Sequence, residues 1–428
     1  MKKNYKRIFQ VLAVSLFGTL TNAQLYIIGE GYQPMNVSAN GTVVGNKSSK
    51  TIWMWTPNQQ PSVIGQVTTG SFSGNVSISE DGNTIASSMT NPQSNLNEMA
   101  IYNKTSSTWN FLGGLAANQD AFKSSVWGMS PDGKTIVGNG YQVTAYSSAA
   151  TWTAETGVTA VANPLPGKND RANTISADKS TIVGWHEVAT GERSPAFWRN
   201  GAVTAITNSN GQPIGGEARA ASSNGNIIVG ISGVNSFVYD NGVYQEISNP
   251  KYTDMYFSGA SGITRDGKKV IGFFRPSSGS PYGGDGYMWT KENGLVDLNA
   301  YVSSLGVDLG NYTLALPLAI SGDGTKIVGV ARTPDFKTYG FMVDLTTYLA
   351  ASNTTTKSAV KIYPNPVKDV LSIANSKSIK SVELINMAGQ KVASATSNQI
   401  NVANLPKGTY VVKVVDGNQT TTHKIVKE

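Results

Sequence analysis

Along most of this chain, apolar and polar residues alternate in short runs that close on a turn, and one phrase carries the pattern. At residues 130–138 it reads SPDGKTIVG. A hydroxyl residue ends an alternating run, Asp132 and Gly133 supply the positive-φ pair of a tight hairpin, and Thr135, Ile136 and Val137 form a β-branched returning strand. The phrase begins at Ser38, Ser79, Ser130, Ser176, Ser222, Thr264 and Ser321, with spacings of 41, 51, 46, 46, 42 and 57 residues. Repeats of about 40–50 residues built from strands and turns predict a β-propeller.

Each unit then continues into an aromatic strand, for example Ala196, Phe197 and Trp198 or Tyr287, Met288 and Trp289, and after a turn into a fourth short strand such as 203–206 or 295–298. Four strands in each of seven units predict an all-β fold, a seven-bladed β-propeller over residues 24–345. The seventh unit lacks a fourth strand after Asp344, whereas residues 25–29 (LYIIG) form an unassigned strand before unit one. The N-terminal strand is therefore expected to complete the last blade and remove two open edges. Unit two departs with Ala86 and Ser87, and unit four carries Asp178 and Lys179 in place of Asp-Gly, so these turns are expected to be looser.

The two ends of the chain differ from this body. Residues 1–23 combine a basic start, an apolar run over 8–20 and a small-residue exit at Ala23, the pattern of a secretory signal peptide too short to be a transmembrane anchor. Residues 346–357 read as a Ser/Thr-rich linker, and 358–428 as about seven short strands of a small Ig-like β-sandwich. The formal charge of +7 is unevenly placed: the leader carries +4, the segment from Lys357 onward +6, and residues 24–356 about −3. A propeller of that charge is not expected to bind nucleic acid. Without cysteine, and with only His186 and His423, neither a disulfide nor a local zinc motif is expected. The turn Asp and Asn residues lack the alternate carboxylates of a calcium loop, so no metal and no cofactor is expected.

The SxDGxxIVG phrase followed by Ala-Phe-x-Trp resembles the HAF repeat of secreted bacterial proteins, and its hairpin half resembles PD40 propeller repeats, over roughly residues 25–345. The phrases around Pro364, Asn365 and Pro366, 384–390 with Gly389, and 405–410 with Gly408 and Tyr410 resemble the type A C-terminal sorting domain of the type IX secretion system. That resemblance implies a type IX machinery partner, export across the outer membrane, and release or attachment at the outer cell surface.

Chemistry is less legible. No nucleophile-elbow, zincin or Walker phrase is present, and the catalytic residues, if any, are unknown. The irregular connections between strands two and three and between successive units should share one face, where binding normally sits. Around units four and five they carry Trp185, His186, Glu187, Arg171, Glu217 and Arg219, with Trp185 as the stacking residue and the arginines as orienters of hydroxyls or carboxylates. The expected function is a monomeric, exported binding module for an extracellular ligand such as a glycan. A polysaccharide-acting hydrolase or lyase and a structural or adhesive protein are the alternatives.

Overall fold

The computed structural model describes residues 23–70, 73–115, 123–143, 146–162, 165–248, 255–346, 361–374, 378–386, 390–416 and 419–428. Residues 1–22, all but the last residue of the expected signal peptide over 1–23, and nearly all of the expected linker over 346–357 lie outside them. The chain divides into two compact units, one over Ala23–Thr346 and one that includes Thr347–Glu428.

The first unit is seven four-stranded antiparallel sheets, six of them formed in chain order from innermost to outermost strand. In the seventh blade, Gln24–Glu30 pairs with Thr338–Asp344 in the register Gln24↔Asp344 to Glu30↔Tyr339, so both ends of the unit meet in one sheet. The widest repeat spacing has a simple cause. A short helix, Leu298–Ser304, is inserted between blades six and seven, and the Asp297 carboxylate caps it by accepting from the Ala300 amide.

The repeated phrase is a hydrogen-bonded device. In every unit the Ser or Thr hydroxyl donates to the Asp or Asn two residues on, at 2.5–3.0 Å. Burial would raise the Asp132 carboxyl, but Lys179, Ser130 and the Lys134 amide hold it down at about 2. The turn in unit four is not looser than the rest. Lys179 takes φ 63°, its amide still donates to the Ser176 carbonyl, and its ammonium pairs with Asp132 at 2.7 Å. The turn's own bonds outweigh the roughly 1–2 kcal/mol that a left-handed conformation costs a residue with a Cβ.

The turns also bond to one another. The amide of Ala39 donates to Glu80, that of Glu80 to Pro131, that of Ser223 to Arg265, and that of Arg265 to Gly322. Pro131 accepts but has no N–H to pass the chain onward. The glycine that closes the phrase answers a different need. A Cβ on Gly138, Gly184 or Gly230 would lie 1.9–2.1 Å from the carbonyl oxygen of Ser125, Arg171 or Glu217 on the innermost strand. The bare glycine lets the two backbones close up beside a β-bulge.

The aromatic third strands pack between blades. Trp198 lies against Val137 and Ala149 of blade three, Trp289 against Val229 and Val238 of blade five, and Trp55 against Val328 and Met342 of blade seven. Each is a core residue rather than a sugar platform.

The second unit contains a three-stranded sheet and a four-stranded sheet. Residues from both, including Leu371 and Ile400 from one and Leu384 and Val412 from the other, share a single core. The Asn365 amide bridges to the last strand, donating to the Lys424 carbonyl and accepting from the Val426 amide. Pro364 and Pro366 flank it, Gly408 opens the strand Gly408–Asp416, and the buried Tyr410 donates its hydroxyl to the Pro406 carbonyl. Gly389 lies outside the described residues.

Candidate functional site

The seven innermost strands surround a central channel, and a bulge decides which side chains enter it. In six blades the register slips by one residue three positions before the phrase begins, at Met35, Trp127, Asn173, Arg219, Ser261 and Leu318. In blade two, where Ser87 replaces the glycine and the paired strand is only Ser77–Ile78, the pairing shows no slip, Val76 at the corresponding position is buried, and Asn75 lines the channel instead. All seven line one cavity of about 180 Å³, together with Gln33, Arg171 and Glu217. A bulged residue is released from the alternation of the strand and can be aimed independently of its neighbours.

The chemistry gathers on blades three to five. Glu217 accepts from Arg171 Nη2 at 2.5 Å and from Arg219 Nε at 2.9 Å. Arg171 also donates from Nε to Asn173 at 2.8 Å, and its guanidinium lies 3.4 Å from the centre of the Trp127 ring, a cation–π contact. The Trp127 indole N–H is held by Asn139 at 2.9 Å. Burial would raise the Glu217 carboxyl, but Arg219 and Arg171 overcome it and hold the group below its ordinary range. Burial draws the Arg171 guanidinium down to about 10, helped by Arg193 and Arg219 and opposed by Glu217.

Arg171, Glu217 and Arg219, expected from the sequence on a loop rim, are thus brought together, but inside the channel and on strands. The innermost strands begin at Asp170 and Gly216, and the second strand of blade four runs Ile182–Glu187.

That extension moves the other three residues out of the site. Trp185 is 4% exposed, with its ring beneath Arg193 at 4.3 Å and Arg171 at 5.4 Å, so it supports the arginines and offers no face to a ligand. Glu187 is occupied at both oxygens by the amide and side chain of Asn169. His186 points to the opposite side of the strand from its neighbours, is buried, and pairs in register with Asp170 and Ser194. Neither His186 ring nitrogen has a hydrogen-bond partner among the described residues.

Burial lowers the His186 pKa below 6.5. The ring folds neutral, while the unfolded chain takes up a proton below 6.5, so stability present above that pH is lost as pH falls. Thermal unfolding followed from pH 7.5 to 5 should show a decline that His186→Leu reduces. An equal decline in the variant would refute this role.

Trp127, Asn173, Asn75 and Gln33 were not anticipated. Trp127 and Asn173 stand three residues before their turn hydroxyls, a position the repeat makes easy to locate, but nothing in the sequence marks it as facing the channel.

Toward the hairpin face a second cavity of about 230 Å³ continues the channel, and an Arg265–Glu80 ion pair joins blades six and two across it. Among the described residues no group of three or more His, Cys, Asp or Glu could hold a metal ion, and no helix is long and apolar enough to cross a membrane. Glu217, ion-paired twice, is the only carboxylate of a described residue lining the 180 Å³ cavity.

We find no match among curated proteins. Among solved structures, the chain is similar to the β-propeller domain of the Trilobed protease from Pyrococcus furiosus, at 13% identity over 76% of this chain and 93% of that one, with a TM-score of 0.47. It is also similar to a putative TolB from Agrobacterium tumefaciens, at 16% identity over 75% and 96%, with a TM-score of 0.38. For TolB from Acinetobacter baumannii the identity is 12% and the TM-score 0.37, and 74% of this chain covers 65% of that one. Residues 361–428 match the secretion-system C-terminal sorting domain, so this chain joins a β-propeller to a type IX sorting tail.

Proposed function

We propose that this chain is an exported bacterial binding protein, whose propeller holds an extracellular ligand in the cavity lined by its six bulged residues and Asn75. One observation carries the reading. The hairpin turns are near copies of one another, whereas the inward position varies around the ring and, together with Gln33, Arg171 and Glu217, surrounds one space with an indole, two guanidiniums, a carboxylate and amides. A rigid, repetitive scaffold with its variation concentrated in one cavity is the arrangement of a binding site. The hydrolase reading is less well supported, because two-carboxylate chemistry needs a second acid beside Glu217.

The reading extends to the route. Residues 1–23 act as a cleaved signal peptide, the HAF-like propeller follows, and the type A tail is read by the type IX machinery before release or surface attachment. Ending the chain at Thr356 should retain the propeller in the periplasm. Fractionation that finds truncated protein in the medium at the normal level would refute the route.

For the site, a panel of extracellular sugars and peptides should contain compounds that raise the melting temperature of the chain. Their affinity should fall about tenfold in Trp127→Ala. Binders that ignore this substitution would place recognition elsewhere.

A further inference from the structure

We infer that the ligand is a sugar acid of single-ring size, a carboxylate on a hydroxyl-bearing ring, taken either free or as the end unit of an acidic polymer. The inference rests on the binding reading above and adds the charge, polarity and size of what is bound.

The cavity is polarised around the ring of blades. Arg171 and Arg219 come from blades four and five, and Met35 and Leu318 come from blades one and seven on the opposite wall. On the cationic side, two guanidiniums share the single carboxylate of Glu217, which leaves one positive charge uncompensated. Arg193, stacked behind Trp185, adds to the positive field. Nη1 of both Arg171 and Arg219 has no partner among the described residues. Guanidinium forks recognise carboxylates in preference to neutral acceptors, and do so more strongly where water is partly excluded. A carboxylate supplies the one missing charge, whereas a phosphomonoester would bring nearly two.

The other wall selects the body of the ligand. Met35 and Leu318 offer the C–H face of a ring an apolar contact, and the Gln33 amide, without a partner among the described residues, can bond a hydroxyl. The volume of about 180 Å³ is below the range of drug-sized pockets and suits one sugar ring.

The test is calorimetry on the chain from Gln24 to Glu428 with galacturonate and glucuronate against galactose and glucose. The acids should bind at least about tenfold more tightly than their neutral counterparts. Their affinity should fall as NaCl is raised from about 20 to about 300 mM, and galactose binding should not. Arg219→Gln should weaken the acids about tenfold, and by more than it weakens the neutral sugars. The salt series uses the unaltered protein and stands even if the variant does not fold. A galacturonate tetramer separates the sources: competition with the monomer at one site per chain identifies a polymer end, and exclusion identifies the free acid. Neutral sugars binding as tightly as acids at a Trp127-dependent site would overturn the sugar-acid assignment and leave the binding site standing. Absence of sugar-acid binding, with another compound held in a Trp127-dependent way, would do the same. Absence of any Trp127-dependent ligand would overturn both.

Discussion

Deletion of residues 24–30 is expected to destabilise the propeller by on the order of 3–5 kcal/mol, a large part of the stability of an ordinary domain. The segment is the outer strand of blade seven, paired along its length with Thr338–Asp344. Its removal strips the ladder from a strand whose Phe341, Met342 and Val343 are wholly buried. It also removes Ile28 from the core shared with blade one and Tyr26 from its edge-on contact with Trp55, with ring centres 5.8 Å apart. The newly bare edge presents unpaired backbone groups beside Phe341, Met342 and Val343, so self-association should accompany the loss. Chemical denaturation and size-exclusion chromatography check both consequences. A synthetic peptide of residues 24–30 added in excess should restore part of the loss, because it binds only the folded edge. Unchanged unfolding of the deleted protein would show that the closing strand contributes little.

Glu217→Ala should cost about 3 kcal/mol, by a different mechanism. The side chains of Arg171 and Glu217 are 13% and 16% exposed, so removing the carboxylate leaves one largely buried guanidinium and a second, Arg219, without their shared counter-charge. Breaking a buried pair from one side costs more than the pair contributes, because the remaining charge keeps its desolvation cost. A double variant that also carries Arg219→Ala should therefore recover part of the loss, a coupling read from a double-mutant cycle. The pH dependence has a definite sign. The folded carboxyl titrates below 4.5, so its contribution is fully present above 4.5 and disappears as pH falls through the lower folded value. Urea unfolding at pH 7 and pH 3.5 should show the gap between wild type and variant narrowing in acid. A constant gap would mean that the carboxylate is not stabilised by its arginines.

The repeats made the architecture legible because a tight hairpin is a local event. Ser130, Asp132 and Gly133 bond within their own turn, so the sequence needed no distant partner to announce it. The closing strand was legible for a related reason: a last unit short of one strand and an orphan strand at the other end leave one economical pairing. The site was legible only in part. Arg171, Glu217 and Arg219 stood out as charges in a weakly charged chain, but Trp185 and His186 drew attention for their residue type and proved to be interior. Strand extent separated these cases. The apolar alternation gave no sign that blade four's second strand continues to Glu187, nor that a one-residue bulge would turn Trp127 and Asn173 into the channel.

By itself, then, the sequence determined the all-β class, the seven repeated turns, the pairing of the propeller's two ends and the sorting tail, since each is written in short-range patterns of turn and strand residues. Only the tertiary structure decided which side chains share the channel. Ring closure brings seven strands far apart in the chain to one axis, and in six of them a bulge, seated against a bare glycine, chooses the residue that the strand presents there.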